Sequence, residues 1–316
     1  MQPALSAEAY AEHVERVLHI AMGLALSGQV EAAAAMAAMA QAFRTDKQLW
    51  AVLKAIKGPR GRTRLMHAAH AGDVARARFL LERGAAVDVA SANGSLALMY
   101  ACEMGRLEMV SFLVERGGAA VNAARTTDGG TALMLASWSG HLETVRFLVE
   151  HGGAAVNAAS ATDGRTALIW ASVNGHLETV RFLVEQGGAN VNAAMPKVGS
   201  SALIFASASG HLETVRFLVE HGGAAVNAAE EHDPTALPMA CLMQRLEIVR
   251  FLLEQGGANV NQTYLDMTPL MFAAKKGHLD IVHLLLQHGA DRQLLCGGMT
   301  AHAFAKDHPL VQAALA

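Results

Sequence analysis

The chain has 316 residues, 52% of them apolar but only 5% aromatic, and a formal net charge of −3 at pH 7. That length suits one extended array or two ordinary domains, and the near-neutral charge gives no general attraction for nucleic acid or an anionic membrane. No segment reaches the ~20 apolar residues of a membrane-spanning helix, and the acidic start at Glu8, Glu12 and Glu15 is unlike a secretory leader.

Residues 1–58 do not repeat and predict three helices. The first runs from Ser6 to about residue 26, with Val14, Val17, Leu18 and Leu24 apolar, and Gly28 breaks it. The second spans 30–43 and is rich in Ala and Met, both strong helix formers. Thr45 or Asp46 caps the third, which carries Leu49, Trp50, Leu53 and Ile56 and ends at Gly58-Pro59. Two readings stand for this segment. It is a helical cap over the first unit of the downstream array, or it is a docking domain. Met39, Phe43, Asp46, Leu49, Trp50 and Leu53 resemble the second half of an F-box, although the Leu-Pro opening of that motif is missing. The resemblance implies a Skp1-type partner within a ubiquitin ligase.

From residue 59 the chain repeats itself. The string Gly-His-Leu-Glu-Thr-Val-Arg-Phe-Leu-Val-Glu begins at Gly140, Gly175 and Gly210, with weaker copies at Gly72, Gly105, Gln244 and Gly277. Nine residues before each lies a second signal, TALMLAS at Thr131 and TALIWAS at Thr166 being two of its forms. Its copies start at Thr63, Leu96, Thr131, Thr166, Ser201, Thr235 and Thr268, and an eroded one at Thr300, in steps of 33, 35, 35, 35, 34, 33 and 32 residues.

Each unit predicts two short helices. In the third, the Thr131 hydroxyl caps the first helix, Leu133, Met134 and Ala136 form its apolar face, and Gly140 ends it. The second helix runs from about Leu142 to Glu150, with Leu142, Val145, Leu148 and Val149 as a buried stripe and Phe147 on another side. Gly152-Gly153 ends it, and Val156-Asn157 enters a hairpin-like turn.

This pattern resembles the ankyrin repeat, with its T-P-L-H-x-A-A, G-H-x-x-V-V-x-L-L-L and G-A-D-V-N signatures. It covers residues from about 60 to 310, as seven full units and one eroded unit. The resemblance implies an all-α solenoid of stacked helix-turn-helix units joined by hairpin-like loops, filling residues 59–316. Where the family has a motif His, this chain has Met66, Met99, Met134, Ile169, Ile204, Pro238 and Met271. The polar bonds of that His are therefore expected to be absent, with sulfur and aliphatic packing in their place. Five units carry a doubled glycine, from Gly117-Gly118 to Gly256-Gly257. Pro238 is tolerable only near its helix start.

The resemblance also implies where partners bind: at the hairpin tips and the exposed side of the first helices. The tips are 125–130, 160–165, 195–200, 230–234 and 264–267, and they differ while the helices repeat almost verbatim. On the first helices one position reads His67, Tyr100, Leu135, Trp170, Phe205, Met239 and Phe272. Three residues on, the exposed position reads His70, Glu103, Trp138, Val173, Ala208, Leu242 and Lys275. Large aromatics dominate binding hot spots because they exclude water over a wide area. Tyr100, Trp138, Trp170 and Phe205 are thus the expected partner-binding residues, joined by Arg125, Asp128, Asp163, Arg165, Lys197 and Tyr264 from the tips. If Trp138, Trp170 and Phe205 share one face, they make an apolar patch.

Chemistry is not expected. His141, His176, His211 and His278 recur within the repeat motif, and Cys102, Cys241 and Cys296 are too scattered for a metal site. No phosphate loop or Ser/His/Asp constellation appears outside the repeat pattern, so no cofactor is expected. The Glu143/Arg146 pairs and their copies read as solvated ladders. The basic run from Lys54 to Arg64 reads as a solvated linker, with nuclear import as the sharper alternative. The expectation is a non-enzymatic, cytoplasmic (or nuclear) protein-interaction scaffold, with a ubiquitin-ligase substrate adaptor as the alternative.

Overall fold

The computed structural model describes residues 61–228 and 233–316. The segment read as cap or F-box, residues 1–58, lies outside the described residues, as does most of the 230–234 tip. The described residues contain helices and no strands, with isolated bridges at Tyr264–Met267 and Cys296–Met299.

Helices come in pairs. The first helices are α1 (Arg64–Ala71), α3 (Ala97–Glu103), α5 (Ala132–Ser139), α7 (Ala167–Val173), α9 (Ala202–Ser209), α11 (Ala236–Leu242) and α13 (Pro269–Lys276). The second helices are α2 (Val74–Glu82), α4 (Leu107–Glu115), α6 (Leu142–Glu150), α8 (Leu177–Glu185), α10 (Leu212–Glu220), α12 (Leu246–Glu254) and α14 (Leu279–Gln287). The eroded unit keeps a four-residue α15 (Ala301–Phe304) and closes with α16 (Pro309–Leu315). Each first helix packs on the next first helix, and each second helix on the next second helix. One core therefore runs the length of the array, as in a solenoid.

Local chemistry sets several of these boundaries. The Thr131 hydroxyl accepts the Met134 N–H at 3.4 Å, and Thr166 caps Ile169 in the same way. Such a cap contributes about 1 kcal/mol. Gly140 ends α5 at φ 74, the left-handed region where glycine has no Cβ penalty. Val145 and Leu148 are fully buried in α6, while Leu142, Phe147 and Val149 are half-buried. Full burial of a leucine such as Leu148 contributes roughly 2 kcal/mol. Pro238 is the third residue of α11, early enough to leave the helix intact.

The expectation that the missing motif His leaves no polar bond needs correction. Met66 Sδ accepts the backbone N–H of Thr63 at 3.2 Å, Met99 that of Leu96, and Met271 that of Thr268. Sulfur is a weak acceptor, but it returns a bond from the third helical position to the cap residue in three repeats.

Two further ladders bind neighbouring repeats. His141, His176 and His211 bring Nε2 to 3.1, 3.0 and 2.9 Å from the carbonyls of Glu103, Trp138 and Val173, at the end of the preceding first helix. On the loop edge, Asn157 donates to the Gly188 carbonyl and accepts from the Asn190 N–H, and Asn122, Asn192 and Asn227 do the same one repeat along. This edge explains the doubled glycines. A Cβ on Gly152 would fall 2.9 Å from the Leu148 carbonyl, while Gly153 turns at φ 65 and presents the carbonyl that Asn122 binds.

Candidate functional site

The hairpin tips are closed by short backbone bonds. Arg125 N–H donates to the Gly130 carbonyl, Ser160 to Arg165, and Met195 to Ser200. The tips are also stitched to one another. The Thr127 hydroxyl donates to the Asn93 carbonyl, Thr162 to that of Asp128, and Lys197 Nζ to that of Thr162 at 3.1 Å. Backbone and side-chain bonds thus fix the 125–130, 160–165 and 195–200 tips relative to their neighbours.

Between the 125–130 and 160–165 tips lies a cleft of about 240 Å³. Met134 and Leu135, both buried, and the half-buried Trp170 give it apolar wall, and Trp138 stands 45% exposed. Glu103, Arg125, Asp128, Ser160, Thr162 and Asp163 supply its polar lining. Five expected partner-binding residues, Arg125, Asp128, Trp138, Asp163 and Trp170, therefore meet in one place.

Two aspartates in the cleft are internally paired. Asp128 accepts from Arg125 through both carboxylate oxygens, at 3.0 and 2.5 Å, and from the Gly130 N–H at 3.0 Å. Partial burial works to raise its pKa, but the Arg125 guanidinium and the Gly130 N–H outweigh that and hold the carboxyl below its ordinary value. Asp163 accepts from the Ser160 hydroxyl and the Arg165 N–H, and lies 3.2 Å from Arg165 Nε.

Other expected residues lie elsewhere. Tyr100 is only 5% exposed, with Arg62 4.5 Å over its ring and bonded to its hydroxyl, so it is packed rather than open to a partner. Arg165 lies 4.4 Å over the Trp170 ring and 5.4 Å over Phe205. The expected apolar row is thus broken by a guanidinium, and Phe205 does not line the cleft. Tyr264 is half-buried and stacks on Phe272. Exposed Lys197 braces the tips instead of lining the cleft.

Glu103, Met134, Leu135, Ser160 and Thr162 also line the cleft. Glu103 had a signal in the sequence, since it shares the register of Trp138 one repeat earlier. The Arg–Phe contacts between second helices had no such signal. Arg146 covers Phe182 at 4.6 Å, Arg181 covers Phe217 and Arg216 covers Phe251, while their i,i+3 glutamate partners stay loose at 3.8–3.9 Å.

Among the described residues no group of three or more His, Cys, Asp or Glu is placed to hold a metal ion, and no helix is long and apolar enough to cross a membrane.

Profiles of the family Ankyrin repeats (3 copies) match residues 18–125, 118–195 and 193–264, and that of Ankyrin repeat matches 265–296. The first match begins inside the 1–58 segment. The chain belongs to the ankyrin-repeat family. Its structure is similar to the crystal structure of the human ASB11 ankyrin repeat domain, at 30% identity and a TM-score of 0.61, over 69% of this chain and 95% of that one. No curated protein matches the sequence.

Proposed function

We propose that this chain is a non-enzymatic scaffold that holds a partner protein at the cleft between the 125–130 and 160–165 tips. The carrying observation is Trp138, a large aromatic 45% exposed beside a cleft with a buried apolar wall. Such an anchor releases much water when covered, and tips already fixed by their own bonds lose little freedom on binding. The fold supports the same reading, since ankyrin repeats are protein-interaction modules. The buried free thiols of Cys102 and Cys241 fit a reducing, cytoplasmic setting.

The test is quantitative capture from cell extract with the full chain, Trp138→Asp and residues 59–316. A partner retained by the wild type and by 59–316, but lost with Trp138→Asp, supports the cleft. A captured set indifferent to Trp138→Asp refutes it. Recovery of a Skp1-type protein by the full chain alone would instead favour the ligase-adaptor reading. Turnover that follows the folded protein through purification would overturn the non-enzymatic one.

A further inference from the structure

Along the described first helices, aromatic residues recurrently sit under guanidinium groups. Arg62 covers Tyr100, and Arg165 covers both Trp170 and Phe205. Trp138 departs from this pattern. Among the described residues no cation lies over its ring, and it is 45% exposed. The same cleft contains a second incomplete group. Asp128 is paired with Arg125 and Asp163 with Arg165, but the Glu103 carboxylate has no ion pair among the described residues. Arg125 and Arg165 offset two of the three carboxylates that line the cleft, and Glu103 leaves one negative charge in excess.

We propose that the cleft recognises an arginine side chain on an extended segment of the partner protein. The guanidinium covers Trp138 as Arg165 covers Trp170, and its N–H groups donate to Glu103. Arginine suits both sites at once, because its planar cation stacks on an aromatic face and presents paired donors to a carboxylate. Lysine offers a point charge without the flat face. This rests on the cleft being the partner site, and adds the chemistry of what enters it.

The probe is a blocked pentapeptide, acetyl-Gly-Ala-Arg-Ala-Gly-amide, with counterparts carrying citrulline, lysine or norleucine in place of arginine. The full chain contains three tryptophans, so its indole N–H signals in a nitrogen-15 spectrum are few. Trp138→Phe assigns the one that matters. The arginine peptide should shift the Trp138 signal saturably, and the Trp170 signal less. Citrulline keeps the shape and removes the charge, and should weaken binding about fivefold or more. Glu103→Gln should weaken the arginine peptide to a similar degree, with the melting temperature as a check that the fold survives. Equal shifts from the arginine and citrulline or norleucine peptides would overturn charge recognition, and equal binding of the lysine peptide would overturn the choice of arginine. Absence of any shift, alongside capture that still depends on Trp138, would sink this inference and leave the scaffold reading standing. Loss of that dependence as well would sink both.

Discussion

His176 reaches back across a repeat unit to place Nε2 3.0 Å from the carbonyl oxygen of Trp138. One bond thus ties the start of α8 to the end of α5, the helix that carries the exposed tryptophan of the cleft. His176→Ala leaves that carbonyl to water and opens space beside Gly140. The site is partly exposed, so the loss should be about 1 kcal/mol in urea unfolding. Partner capture should fall with it. An unchanged midpoint would mean the ring contributes no net bond.

Two glycines of the third repeat separate two effects. Gly140→Ala meets both a left-handed φ of 74 and the His176 ring, whose Nδ1 would lie 2.4 Å from the new Cβ. Gly153→Ala has a similar φ of 65 but nothing within 4 Å. The second should cost about 1 kcal/mol and the first about 2 kcal/mol or more, the difference being the steric clash. Gln244 occupies the matching place in its own repeat with φ 57. Gln244→Gly should therefore stabilise the array, by about 1 kcal/mol. Thermal melts of the three variants check the order, and a destabilised Gln244→Gly would count against it.

Leu148 is fully buried between repeats. Leu148→Asp places an unpaired carboxylate there, against a total stability of typically ~5–15 kcal/mol for a folded domain. Cooperative unfolding should be lost, because each repeat relies on its neighbours. A melting curve like that of the wild type would contradict the buried-stripe assignment.

What can be read from sequence is local in the chain. The limits of α6, Leu142 and Glu150, the Thr131 cap and the Gly140 stop all follow from spacing of about four residues, and the structure places them there. Part of what escapes depends on partners a whole repeat away. Asn157 reads as a turn residue, but its amide binds Gly188, 31 residues on. Tyr100 reads as a partner-binding aromatic until Arg62, 38 residues earlier, is seen to cover it. Met66 reads as apolar filling, and only the local backbone geometry makes its sulfur an acceptor. The cleft is half legible: its aromatic and charged residues stand out in the sequence, but the internal pairing of Asp128 and Asp163, which leaves Glu103 as the unmatched acid, does not.

The three thiols should differ in reactivity. Burial pushes the Cys102 and Cys241 thiols far above their ordinary pKa, so little thiolate forms. Cys296 is only half-buried. A disulfide reagent at neutral pH should modify Cys296 first and the other two only after denaturant is added. Three equal, rapid phases would indicate that the α3 and α11 regions open readily.

Because the histidine lock and the asparagine rungs recur with equivalent partners, the array should tolerate removal of a whole unit. Helices α6, α8 and α10 share one sequence, LETVRFLVE. Excising residues 141–175 would join Gly140 to His176 and bring His211, which now faces the Val173 carbonyl, opposite that of Trp138. Every rung would find an equivalent mate, yet Trp138 would exchange Trp170 for Phe205 as its neighbour on the next first helix. A single in-frame deletion could thus rewrite what the surface recognises while leaving the frame that displays it intact.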